Sequence, residues 1–109
     1  MNKVSILLIV VFAFSTLHAA AYKGQREFVR NCVGCHDTGQ AFVAEKKMRY
    51  WDQVTKKNGK ELAEIHLKSS KAKKSWKYFK ASRYKKMSKH LSDFLQEYAK
   101  DSGNVPACN

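Results

Sequence analysis

The pentapeptide Cys32-Val33-Gly34-Cys35-His36 constrains this chain more than any other feature. C-x-x-C-H is the attachment signature of c-type haem, because two thiols about one helical turn apart can each add to one porphyrin vinyl group. The adjacent histidine then lies where it can bind the iron as an axial ligand. The motif therefore predicts one covalent haem c on Cys32 and Cys35, with its iron held by His36.

Other C-x-x-C sites make weaker alternatives. A bare C-x-x-C also occurs in thioredoxin-like dithiols, in halves of zinc sites and as a structural disulfide. The sequence contains no second C-x-x-C to complete a zinc site, and no β-α-β pattern precedes the motif. We therefore favour haem attachment over these three alternatives.

The N-terminus predicts export. A short basic start is followed by a mostly apolar run over residues 4–14 and by small residues that end at Ala21. This is the layout of a secretory signal peptide cleaved before Tyr22. An uncleaved membrane anchor is the competing interpretation, but a span needs about 20 apolar residues. We expect a signal peptide over residues 1–21 and a periplasmic haem domain over residues 22–109, since bacterial haem attachment takes place outside the cytoplasm.

The segment before the motif predicts a helix over Lys23–Asn31, because Gly24, Phe28 and Cys32 fall at intervals of four and share one face. This succession of glycine, aromatic residue and C-x-x-C-H resembles the N-terminal helix of the class I c-type cytochromes. The resemblance is good over residues 23–36 and loose over the C-terminal helix. It implies a small all-α domain wrapped around a covalent haem, with the C-terminal helix crossing closely at the glycine.

The remainder of the chain predicts further helices and no strand. Asn58-Gly59 would end a helix within Ala41–Lys57, and Lys60–Ser69 would form the next one. Trp76–Phe79 predicts one more helical turn, and an apolar stripe of helical period runs from Tyr84 to Tyr98.

The mature domain is small. Removal of residues 1–21 from the 109-residue chain leaves 88 residues, which bury little apolar surface by themselves. A covalently held macrocycle would supply the missing core. In the helix crossing, we expect Phe28 to pack against Leu95 or Tyr98.

Two residues compete for the second axial position on the iron. Class I cytochromes carry their distal methionine near the last helix, which favours Met87, but Met87 also lies in register with the apolar stripe. It could coordinate only if the last helix began after it. His66 is the alternative, since it shares a face with Leu62 and Ile65. An isolated histidine on an apolar face is more often a hydrogen-bonded core residue, and a water, another ligand or an open site is the third alternative.

The chain is strongly basic, with a formal charge of +12 that falls to +11 when Lys3 leaves with the signal peptide. Ten basic residues and no acid lie between Lys68 and Lys89. We expect no nucleic-acid partner, because the protein is predicted to be exported. We expect Lys68–Lys89 to dock acidic redox proteins through long-range attraction, and the same charge allows weak contact with an anionic membrane surface.

Cys108 is left over once Cys32 and Cys35 hold haem. An odd cysteine in a secreted protein predicts a free thiol or an intermolecular disulfide. A disulfide between Cys108 and a motif cysteine, with haem absent, ranks last.

These observations together predict a periplasmic mono-haem cytochrome that carries single electrons between protein partners and is not an enzyme. A haem-based sensor or ligand-binding protein with an open or displaceable sixth ligand is the alternative from another class. A haem-free exported binding domain that uses its basic surface is the third.

Overall fold

Helices account for all the regular structure in residues 21–104, the part of the chain that the computed structural model describes. No strand occurs among these residues, which confirms the predicted all-α class. None of their helices is long and apolar enough to cross a membrane. Nearly all of the predicted signal peptide, and Cys108, lie outside this range. In chain order the elements are α1 over residues 21–31, α2 (Gln40–Val43), α3 (Met48–Leu67), a 3-10 helix (Ser70–Ser75), α4 (Trp76–Lys80) and α5 (Ser82–Glu97).

Helix α3 consists of two helical segments joined by a left-handed turn. The backbone leaves helical geometry at Lys56, and φ is positive at Lys57 (53°), Asn58 (57°) and Gly59 (73°). Asparagine and glycine adopt this conformation most readily, so the break falls where Asn58-Gly59 predicts it. A Cβ on residue 59 would also overlap the hydroxyl of Tyr84, which therefore requires glycine there.

Helix α1 crosses α5 at Gly24, as the resemblance implies. A Cβ added to Gly24 would overlap the main-chain carbonyl of His90 and lie 2.8 Å from the Cβ of Phe94. The two backbones approach this closely only because residue 24 has no side chain.

The core lies between α1, α3 and α5. The ring of Phe28 meets that of Phe94, with centroids 5.3 Å apart. Phe94, which the sequence analysis did not name, is thus an aromatic partner of Phe28, because the crossing at Gly24 brings the turn of α5 that carries Phe94 over α1. The most buried apolar side chains of α3 and α5 are Trp51, Val54, Leu62, Tyr84, Leu91, Phe94 and Leu95.

Polar contacts hold α3 in place. The Tyr84 hydroxyl of α5 donates to the carbonyl of Gly59 at the bend. Nearer the start of α3, the hydroxyls of Thr55 and Ser92 share a hydrogen bond of 2.8 Å. Beyond α5, a carboxylate oxygen of Asp101 accepts a hydrogen bond of 2.8 Å from the first backbone N–H of α3. Both segments of α3 are thus fixed relative to α5.

Candidate cofactor site

The C-x-x-C-H motif forms a hydrogen-bonded turn at the end of α1. The N–H of Cys32 donates to the carbonyl of Phe28 (2.8 Å), so the helical pattern continues into the motif. The carbonyl of Cys32 then accepts from the N–H groups of Cys35 (3.1 Å) and His36 (2.9 Å). This turn brings both thiols and the imidazole to one end of α1.

The two thiols are free but differ in environment. Cys32 is half-buried and Cys35 is exposed. Burial, with smaller contributions from Glu27 and Cys35, raises the pKa of Cys32 to about 12. Cys32 is therefore a neutral thiol at neutral pH.

A cavity of about 390 Å³ opens beside the motif. Its volume lies within the range of about 300–1,000 Å³ that is typical of ligand sites. Cys32, Cys35 and His36 all line it, together with His66 of α3. Its apolar lining comes from several helices and includes Phe28, Trp51, Leu62, Phe79, Leu91 and Leu95.

The cavity brings two imidazoles together. The ring centroids of His36 and His66 are 6.2 Å apart, and the ring planes are nearly perpendicular, at 84°. Each ring is backed by a phenylalanine: Phe42 stacks on His36 at 3.9 Å, and Phe79 stacks on His66 at 4.2 Å. Burial, and secondarily the neighbouring His66, lowers the pKa of His36, while Glu45 opposes this shift. His36 is therefore neutral at neutral pH, the form in which an imidazole binds a metal.

The tautomer of His66 follows from its hydrogen bond. Its Nδ1 lies 2.7 Å from the carbonyl oxygen of Leu62. A carbonyl can only accept, so Nδ1 carries the hydrogen and Nε2 keeps a free lone pair in the neutral ring.

Met87 is not among the residues that line the cavity. It is half-buried within α5, which begins at Ser82, five residues before it. The condition for coordination by Met87, a last helix that starts after it, is therefore not met. Of the two predicted distal residues, the structure brings only His66 to the motif.

A buried carboxylate beside the site was not expected from the sequence. Glu27 of α1 is 1% exposed. Its two carboxylate oxygens accept hydrogen bonds from the Tyr78 hydroxyl (3.2 Å) and from the guanidinium of Arg83 (3.1 Å). Burial and the nearby Glu27 raise the pKa of Tyr78, so its phenol stays protonated and donates. The one available signal was spacing, since Glu27 lies three residues after Gly24 and so shares its helical face.

The sequence likewise does not indicate the role of Phe42, because nothing in its neighbourhood points to a contact with His36. It belongs to the four-residue helix α2, which the indole N–H of Trp51 holds by donating to the carbonyl of Val43 (2.9 Å). Helix α2 thus presents Phe42 to the imidazole while α3 supports it from behind.

The basic residues between Lys68 and Lys89 are all exposed, and they follow one another along the end of α3, the 3-10 helix, α4 and α5. Among them, Arg83 alone forms an ion pair within residues 21–104, and Lys71 reaches the lining of the cavity. The interleaved aromatic residues turn inward, since Phe79 and Tyr84 are buried and Trp76 and Tyr78 half-buried. A positive surface therefore borders the cavity.

Within the described range, no group of three or more His, Cys, Asp or Glu side chains is arranged to hold a metal ion. Comparison of the chain with protein-family models, curated proteins and solved structures gave no match.

Proposed function

We propose that this chain is an exported c-type cytochrome that carries single electrons between redox proteins. One observation supports the proposal above the others: two thiols and an imidazole from one C-x-x-C-H pentapeptide line the same apolar cavity. The donor set fits haem c, because Cys32 and Cys35 can form the two thioethers and His36 can bind the iron. The iron would need no equatorial ligands from the protein, since the porphyrin supplies four nitrogens.

The bound haem would supply a one-electron ferric–ferrous couple. The residues of the chain bind and orient it. Cys32 and Cys35 would hold the macrocycle through two thioethers, and Phe42 would keep the plane of His36 fixed. The surrounding apolar side chains exclude water, which lowers the local dielectric constant and shifts the potential. The chain would catalyse no bond-making of its own.

Mass spectrometry of the exported protein tests covalent attachment. We expect each chain to retain one haem mass after acid–acetone extraction. After disulfide reduction, iodoacetamide should modify one of its three cysteines, Cys108, because Cys32 and Cys35 are blocked. The matched control is the Cys32→Ala/Cys35→Ala double variant, which should lose the haem and keep the one modified cysteine. An exported parent protein with three alkylated cysteines would refute the cytochrome proposal.

The basic surface over Lys68–Lys89 would guide an acidic redox partner to the cavity mouth. A domain of charge +11 attracts such a partner over a distance set by the Debye length, about 30 Å at 0.01 M salt and about 8 Å at 0.15 M. Contact with an anionic membrane surface is the weaker use of the same charge.

We expect the bimolecular electron-transfer rate with an acidic blue-copper protein to fall by roughly tenfold between about 0.01 and 0.15 M salt, because the ions screen this attraction. Stopped-flow measurements of the reduced protein give the rate. Lys73→Glu should weaken both the rate and its salt dependence, whereas Lys23→Glu, the same charge change on α1, should have a smaller effect. A rate that stays flat or rises with salt would remove the docking role from Lys68–Lys89.

A further inference from the structure

The cavity contains one imidazole more than haem attachment through C-x-x-C-H requires. His36 comes from the motif turn, and His66 reaches the same cavity from the second segment of α3, thirty residues later in the sequence. Its Nδ1–H is taken by the carbonyl of Leu62, which leaves the Nε2 lone pair free to bind a metal. A histidine whose other nitrogen donates to a backbone carbonyl is the usual arrangement for a metal ligand.

The spacing of the two rings fits ligands on opposite sides of one metal. Two such imidazoles have centroids about 6 Å apart, since each metal–nitrogen bond is about 2 Å and each nitrogen lies about 1 Å from its ring centre. The centroids of His36 and His66 are 6.2 Å apart.

We infer that His66 is the second axial ligand of the haem iron, opposite His36, with the two imidazole planes perpendicular. This inference rests on the proposed function and adds the identity and geometry of the second ligand. The perpendicular arrangement comes from the two stacks: Phe42 sets the plane of His36 and Phe79 sets that of His66, and the two planes differ by 84°. The carbonyl of Leu62 keeps the ring of His66 from rotating.

The rival ligand is Met87, and the geometry disfavours it. Met87 lies inside α5 and does not line the cavity, so coordination would require α5 to unwind over its first turns. That would move Tyr84, which is 1% exposed and donates to Gly59 at the bend of α3. His66 requires no such rearrangement.

Spectroscopy of the unaltered holoprotein tests the inference without any variant. Oxidised protein should lack the weak near-infrared band of sulfur-to-iron charge transfer. Its low-temperature EPR spectrum should show a single strongly anisotropic low-spin feature, because perpendicular imidazole planes make the two iron dπ orbitals nearly equal in energy. A near-infrared sulfur band, a high-spin spectrum or the rhombic spectrum of parallel imidazoles would each overturn the inference.

His66→Gly identifies the residue. This variant should retain covalent haem and turn high-spin, and added imidazole should restore the low-spin spectrum by filling the vacated volume. Met87→Leu, which preserves size in α5, should keep the parent spectrum. Loss of the low-spin spectrum in Met87→Leu, or its persistence in His66→Gly without imidazole, would overturn the assignment. If His66→Gly fails to fold, the parent spectra still decide.

The cytochrome function and the role of His66 as ligand can be refuted independently. A parent protein without covalent haem refutes the proposed cytochrome itself. Covalent haem together with a high-spin or sulfur-ligated spectrum leaves the cytochrome intact and removes only His66 as ligand. The high-spin result would favour the sensor alternative, because it leaves a position on the iron open.

Discussion

Gly24→Ala is expected to lower the melting temperature of the protein by more than about 10 °C, although alanine is the better helix former. In an exposed helix the same change would stabilise by about 1 kcal/mol. Here the new Cβ overlaps a backbone carbonyl of α5, at His90, and a backbone cannot rotate away as a side chain can. We expect a net loss of about 3 kcal/mol, the upper end of the usual range for overpacking.

Thermal unfolding followed by circular dichroism measures this effect. The matched control is Arg30→Ala in the same helix, where the side chain is exposed and alanine again improves helix propensity. The control should leave the melting temperature within a few degrees of the parent. If Gly24→Ala proves as stable as the parent, α1 does not cross α5 at this residue.

Arg83→Met is expected to destabilise the protein by about 1–2 kcal/mol, less than for a fully buried ion pair, because solvent screens the exposed guanidinium. The two partners are in unequal environments: the side chain of Glu27 is 2% exposed and that of Arg83 is 61% exposed. Without Arg83, the carboxylate of Glu27 stays buried. Of the two side-chain hydrogen bonds described above, it keeps the one from the Tyr78 hydroxyl. Without Glu27, the guanidinium of Arg83 remains in water and loses little.

The unequal burial of Glu27 and Arg83 can be tested by a double-mutant cycle. Adding Glu27→Met to Arg83→Met should recover part of the lost stability, because replacing both partners by apolar groups removes the buried charge. Lys86→Met, at an exposed position of α5 with no ion pair in residues 21–104, is the control and should have little effect. Denaturant unfolding gives the free energies. A double variant less stable than Arg83→Met would show that Glu27 stabilises the fold by some means other than this pair.

Features encoded by neighbouring residues were predictable from the sequence. The helix break at Asn58-Gly59 follows from backbone conformational preference, and the structure confirms it. The crossing at Gly24 is what the resemblance to the class I cytochromes implies, and it too is confirmed. The contact of Phe28 with Phe94 was harder to predict, because the rotation of α5 about its axis decides which of its apolar residues face α1.

The candidate site was predictable only in part, because contacts between distant segments decide much of it. Cys32, Cys35 and His36 come from one pentapeptide, so their proximity is local. Glu27 and Phe42 acquire their roles from contacts with distant segments, and spacing places Glu27 on the face of Gly24 without reporting such contacts. The choice between His66 and Met87 likewise depends on where α5 begins, which the continuous apolar stripe leaves undefined.

The hydrogen bond from Tyr84 to Gly59 has a consequence for how this chain can vary in length. It anchors the second segment of α3 at the bend, and His66 lies seven residues along that segment. Each helical residue turns the chain by about 100°, so one residue inserted or deleted between the anchor and His66 would swing the imidazole out of the cavity. This stretch therefore tolerates no change of length without moving His66 out of the cavity.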